Sequence, residues 1–165
     1  MNTRRVLVAL LAVASLAAAA VAVVPRLRQD EKKPLDEESL FAAAEKCRNE
    51  GQYKDAERLY EEYLDRFPAG KRRESVAYVR AFCEYQQRKY DEAREHFAAF
   101  QTDYPKSENA PWAQYYVATS FADQQKKEIA IKEFKKLFKN WPDTPATESA
   151  IWRYWNLVGK GFQFN

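Results

Sequence analysis

Glycine is scarce in this chain, with four in 165 residues. A sheet-rich fold with many tight turns needs more positions able to take positive φ, so the scarcity points toward helices. One histidine, His96, cannot supply a His-rich metal site. The two cysteines, Cys47 and Cys83, form no C-x-x-C pair. One disulfide is open to them, but two separate buried thiols are expected. Charge of one sign is not in excess either. The formal net charge is +3, and without Arg4 and Arg5 of the N-terminal segment the balance is near neutral. Nucleic acid is therefore not an expected partner. No phosphate-binding glycine loop, nucleophile motif or metal-ligand spacing occurs, so neither an enzyme nor a cofactor is expected.

One long apolar run is present. Residues 6–24 contain a single polar residue, Ser15, and follow two arginines. At helical rise the run spans about 28 Å, close to the hydrocarbon thickness of a bilayer. Its length favours an uncleaved signal anchor, while Ala20–Ala22 also offers small residues for signal-peptide cleavage. Arg4 and Arg5 keep the N-terminus inside and send the rest of the chain across the membrane. No cysteine follows the run directly, because the first is Cys47, so a lipid anchor there is not supported. Residues 1–25 are thus read as signal anchor or signal peptide, and 26–35 as a charged linker.

The remainder repeats itself at an offset of 37 without a gap. Ala56, Ala93 and Ala130 align, as do Tyr60, Phe97 and Phe134, and Pro68, Pro105 and Pro142. Upstream, Ala44, Ala81 and Ala118 align, and so do Phe41, Tyr78, Tyr115 and Trp152. Within a unit the apolar residues fall at spacings of three and four, one face of a helix. The alanines admit a neighbouring helix at close range. The prolines stop each second helix. The pattern predicts an all-α fold of helix-turn-helix units at about 36–72, 73–109 and 110–146, then a capping helix at 147–158 and a tail at 159–165. Asp36 and Thr144 are candidate N-caps, and Gly159 a candidate helix stop.

With these columns the chain resembles a tetratricopeptide array, a right-handed superhelix of helical hairpins. The phrase "DYPKSENAPWAQYYVA" is similar to bacterial envelope members: the periplasmic Tol–Pal-associated coordinator family and the lipoprotein of the outer-membrane protein assembly machine. The resemblance implies a non-catalytic interaction scaffold in the envelope that binds a polypeptide in a groove lined by the first helices. The expected place is the bacterial inner membrane, single-pass with the domain in the periplasm, or soluble in the periplasm after cleavage. A cytosol-facing receptor of similar build and an obligate structural subunit are the other readings. The lysine and asparagine clamp of some co-chaperone members is absent, because the matching slots hold Phe41, Tyr78, Tyr115, Glu45, Phe82 and Thr119.

Groove candidates are Phe82, Tyr85, Trp112, Tyr115, Tyr116 and Trp152. Tyr115 and Trp152 belong to the repeating ladder and compete with a packing role. Phe82, Tyr85 and Trp112 do not recur as aromatics at the offset, which makes them the better binding candidates. Lys126, Lys127, Lys132, Lys135, Lys136 and Lys139 form a basic stripe, open to anionic lipid or an acidic partner but also readable as a solvated face. His96 falls on a variable slot, with Leu59 and Glu133 at its equivalents.

Overall fold

The structure is a computed structural model that describes residues 35–159; the apolar run at 6–24 and the tail from Lys160 on lie outside the described residues. Seven helices and no strands occur among the described residues: α1 Glu37–Asn49, α2 Tyr53–Arg66, α3 Arg73–Gln86, α4 Tyr90–Asp103, α5 Ala110–Asp123, α6 Lys127–Asn140 and α7 Pro145–Val158. They form a helical repeat array of three hairpins and one further helix.

The ends of the helices show why the units have this length. Asp36 accepts from the Ser39 N–H at 2.8 Å, and Glu37 and Glu38 follow in the first turn of α1, where negative charge meets the helix dipole favourably. Each first helix then closes in the same way. The N–H groups of Gln52, Lys89 and Lys126 reach back to the carbonyls of Cys47, Glu84 and Phe121 at 2.8–3.0 Å. Those of Gly51, Arg88 and Gln125 reach Arg48, Tyr85 and Ala122. This paired pattern is the Schellman ending, which demands a left-handed residue. Gly51, Arg88 and Gln125 supply it at φ 74°, 62° and 60°. Only the first is glycine.

Each second helix ends on Phe67, Tyr104 or Trp141, one residue before its proline. These residues bond back to Tyr63, Phe100 and Leu137 but have left the helical region, at φ −123°, −128° and −140°. A following proline disfavours helical geometry, so the stop is steric. Thr144 accepts from the Thr147 N–H at 3.4 Å and Pro145 begins α7, while Gly159 at φ 73° ends it.

Packing follows the columns. Ala44, Ala81, Ala118, Ala56, Ala93 and Ala130 are fully buried, as are Tyr60, Phe97 and Phe134. So is a column not anticipated from the sequence: Val76, Ala113 and Ala150. The core forms three successive clusters, one per unit boundary, which suits a chain whose units cannot bury their apolar faces alone. Consecutive helices pack along the chain, and α5 also packs against α3 and α7, whereas no pair of second helices packs comparably. The first helices α3, α5 and α7 therefore lie side by side as the inner layer. Cys47 is half-buried and Cys83 buried, both as free thiols, and burial pushes the Cys83 thiol up to about 12.

Candidate functional site: the aromatic inner face

The first helices bring four of the six candidate rings together. Tyr116 on α5 is the hub. Its ring centroid lies 5.0 Å from Tyr85 and 5.4 Å from Phe82, both on α3, and 5.3 Å from its neighbour Tyr115. It also stacks on the buried Phe97 of α4 at 5.4 Å and 12°. Phe82 reaches Tyr53 of the preceding unit at 6.3 Å. The four rings are half-buried, each with one side against the core and some edge in solvent.

Trp112 and Trp152 stand apart from this centre. Trp112 touches Tyr115 at 5.5 Å but lines a separate cleft of about 380 Å³ with Trp141, Pro105, Pro111 and Pro145, where two inter-unit loops meet. Trp152 lies on α7, is 70% exposed and makes no ring contact with a described residue. Its ladder equivalents are turned into packing. Phe41 meets Tyr63, Tyr78 meets Phe97 and Phe100, and Tyr115 meets Phe134, in each case the second helix of the same unit.

A polar network borders the rings. The Tyr85 hydroxyl donates to Asp123 Oδ2 at 2.7 Å, and Arg153 Nη2 donates to Asp123 Oδ1 at 3.2 Å. One carboxylate thus joins two units and the final helix α7. Burial pushes the Tyr85 phenol up to about 12, and the Asp123 carboxylate adds to the shift because it disfavours a second negative charge. Arg153 Nη1 is buried and has no hydrogen-bond partner. The repeat carries no sign of this network, because its three residues occupy three different slots of the unit.

A second pairing also escaped the repeat. His96 Nδ1 lies 2.7 Å from Oε2 of Glu84, a carboxylate only 3% exposed. The pair reads as a polar tie between α3 and α4. Farther along the first helices, Glu45 accepts two bonds from Arg48, at 2.6 and 3.2 Å, and one from the Tyr60 hydroxyl. Burial of Glu45 works against ionisation, but these partners outweigh it and hold its carboxyl below the usual range.

The six lysines of the basic stripe are all exposed, on or beside α6. Lys136 pairs with Glu133 at 2.7 Å, and Lys126 lies 6.0 Å from the Phe121 ring. Among the described residues no group of three or more potential metal ligands occurs, and no helix is long and apolar enough to cross a membrane.

What the arrangement offers is surface: aromatic edges on helices packed over a repeated core. Rings of this kind anchor polypeptides well, since they bring large area with little entropy to lose. No curated protein matches the chain. The sequence model of a family described as outer membrane lipoprotein, YfiO, matches residues 33–160. That span takes in every helix described above, and the chain belongs to this family of the bacterial envelope.

Proposed function

We propose that the chain is a non-catalytic scaffold of the cell envelope, and that it binds a partner polypeptide along the inner face of its first helices. The observation that carries this reading is the cluster of Phe82, Tyr85, Tyr115 and Tyr116, half-open on helices whose other sides are fully packed. Arg153 borders the cluster through its bond to Asp123. Trp112 extends the surface toward the loop edge. Trp152, largely exposed on α7, lies apart from this cluster.

The family is one of lipoproteins, yet the first cysteine, Cys47, sits inside α1 and is half-buried. Attachment by the apolar run at 6–24, with the array in the periplasm, is the reading that fits this chain. The exposed lysines of α6 are then the outward face, available to anionic headgroups or to an acidic partner.

The test is partner capture from the native cell by the full chain and by Tyr85→Glu and Trp112→Glu variants. Loss of a specific captured protein with helical content unchanged supports the reading. Unchanged capture by both variants refutes it. Unfolding by either substitution assigns that ring to packing alone.

A further inference from the structure

The outward face of α6 carries one sign of charge where its counterparts do not. Lys132, Lys135, Lys136 and Lys139 follow at steps of three, one and three, which sets them on one side of the helix. The buried Ala130, Phe134 and Leu137 occupy the other side. At the same four slots α4 holds Glu95, Ala98, Ala99 and Thr102, and α2 holds Arg58, Glu61, Glu62 and Asp65. A solvated helix face needs no such bias, and the other two units lean the opposite way. Lysines three and four apart also repel one another, so the row is unfavourable in water alone.

Little on the protein neutralises this row. All four lysines are exposed. Lys136 bonds to Glu133 at 2.7 Å, but Lys132, Lys135 and Lys139 form no ion pair among the described residues. Glu133 is largely buried and also accepts from Gln114 of α5 at 3.1 Å. Glu128, one turn before Lys132, is exposed and carries the opposing charge on this side. Ile129 borders the row and is 44% exposed. Its counterparts on α2 and α4 are the acidic Asp55 and Glu92.

The residue type points to the partner. Well-built protein interfaces favour arginine, whose planar fork meets carboxylates in fixed geometry, and are poor in lysine. Lysine is a compact, hydrated charge on a flexible stem. A row of such charges, with one apolar side chain at its edge, fits a fluid layer of phosphate headgroups that can rearrange to meet each one. The chain belongs to a family of the bacterial envelope, where such a surface is at hand. We propose that α6 lays its lysine face on the anionic headgroups of a bilayer, with Ile129 directed to the acyl boundary. This rests on the place in the envelope proposed above, and it leaves the first-helix face open to a polypeptide.

The test places a photoreactive residue at position 129 of the full chain, or at position 55, its exposed counterpart on α2. Each protein is put into lipid discs of phosphatidylcholine, alone or with one part in three of phosphatidylglycerol. The chain is the same in both mixtures, so their difference reads headgroup charge. Lipid adducts are expected from position 129 and not from 55, and in the anionic mixture above all, falling as salt is raised. Each lysine near an anionic surface contributes roughly a fivefold factor to association. The Lys132→Gln/Lys135→Gln/Lys139→Gln variant should therefore lower the adducts by at least about tenfold. Its helical content should stay unchanged, since the three side chains are exposed and unpaired. Tyr85→Glu should leave the adducts in place, which separates this contact from capture on the inner face. Equal labelling from the two positions, equal labelling in the two mixtures, or labelling that survives the triple substitution would overturn the proposal. So would a protein adduct instead of lipid from position 129 in the native cell, which would assign the row to an acidic partner.

Discussion

Asp123 is the residue whose removal reports most about how the inner face is built. Its carboxylate is about a quarter exposed, accepts the Tyr85 hydroxyl, and faces an Arg153 side chain one-third exposed. A hydrogen bond to a charged acceptor contributes about 1.5–3 kcal/mol, and a partly buried ion pair more than the roughly 0–1 kcal/mol of a surface one. Asp123→Ala strands both partners, and Arg153 already has one buried N–H without an acceptor. We expect a loss of about 2–3 kcal/mol. Tyr85→Phe removes one bond and keeps the ring against Tyr116, so about 1–1.5 kcal/mol is expected. The double variant should cost less than the sum by about 1 kcal/mol, because the two residues share one interaction. Urea unfolding of the four proteins measures the cycle. Strict additivity would refute the network. Alkaline difference spectroscopy gives an independent reading: one phenol should titrate near 12 in the parent. In Asp123→Ala it should fall, but stay above the ordinary tyrosine value, since burial remains the larger cause.

Four further outcomes follow from the geometry. Gly51→Ala forces a side chain into a left-handed turn and should cost about 1 kcal/mol. Arg88→Gly relieves the same strain, breaks no side-chain bond, and should gain up to about 1 kcal/mol in urea unfolding. His96→Ala leaves the buried Glu84 carboxylate with only Arg80, 4.0 Å away, and should cost about 1–3 kcal/mol, with Glu84→Gln/His96→Ala recovering part of it. The pH profile of stability should fall at both ends. Glu45 has a lowered folded value, so its contribution is present above the usual carboxylate range and is lost as pH drops through that lowered value. Tyr78, Tyr85 and Tyr116 have raised folded values, chiefly through burial. Their contribution is complete below the ordinary tyrosine pKa near 10 and is lost as pH rises through the raised values.

Pro68, Pro105 and Pro142 were enough to place the ends of the second helices within a residue or two, because the steric demand of X-Pro is local. The alanine columns were legible for the same reason: close approach tolerates only a small side chain, and the offset of 37 repeats the requirement. Asp36, Thr144 and Gly159 act as the caps and stop that their chemistry suggested. What stayed hidden depends on relations between different slots. Arg88 and Gln125 take a left-handed turn without the glycine that would have announced it, and only their alignment with Gly51 marks them. Tyr85, Asp123 and Arg153 meet across two units and α7 from unequal positions, as do Glu84 and His96 across one hairpin. The exposure of Trp152 follows from the lack of a second helix after α7 among the described residues, which a ladder of aligned aromatics cannot reveal.

The central claim is that the inner face holds a polypeptide. Photo-crosslinking from position 85 of the full chain in the native cell tests it most directly, with Glu61, exposed on α2, as control. The account predicts one defined protein captured from position 85 and not from 61. An abundant, folded chain that yields no adduct, or the same adducts from both positions, would contradict it.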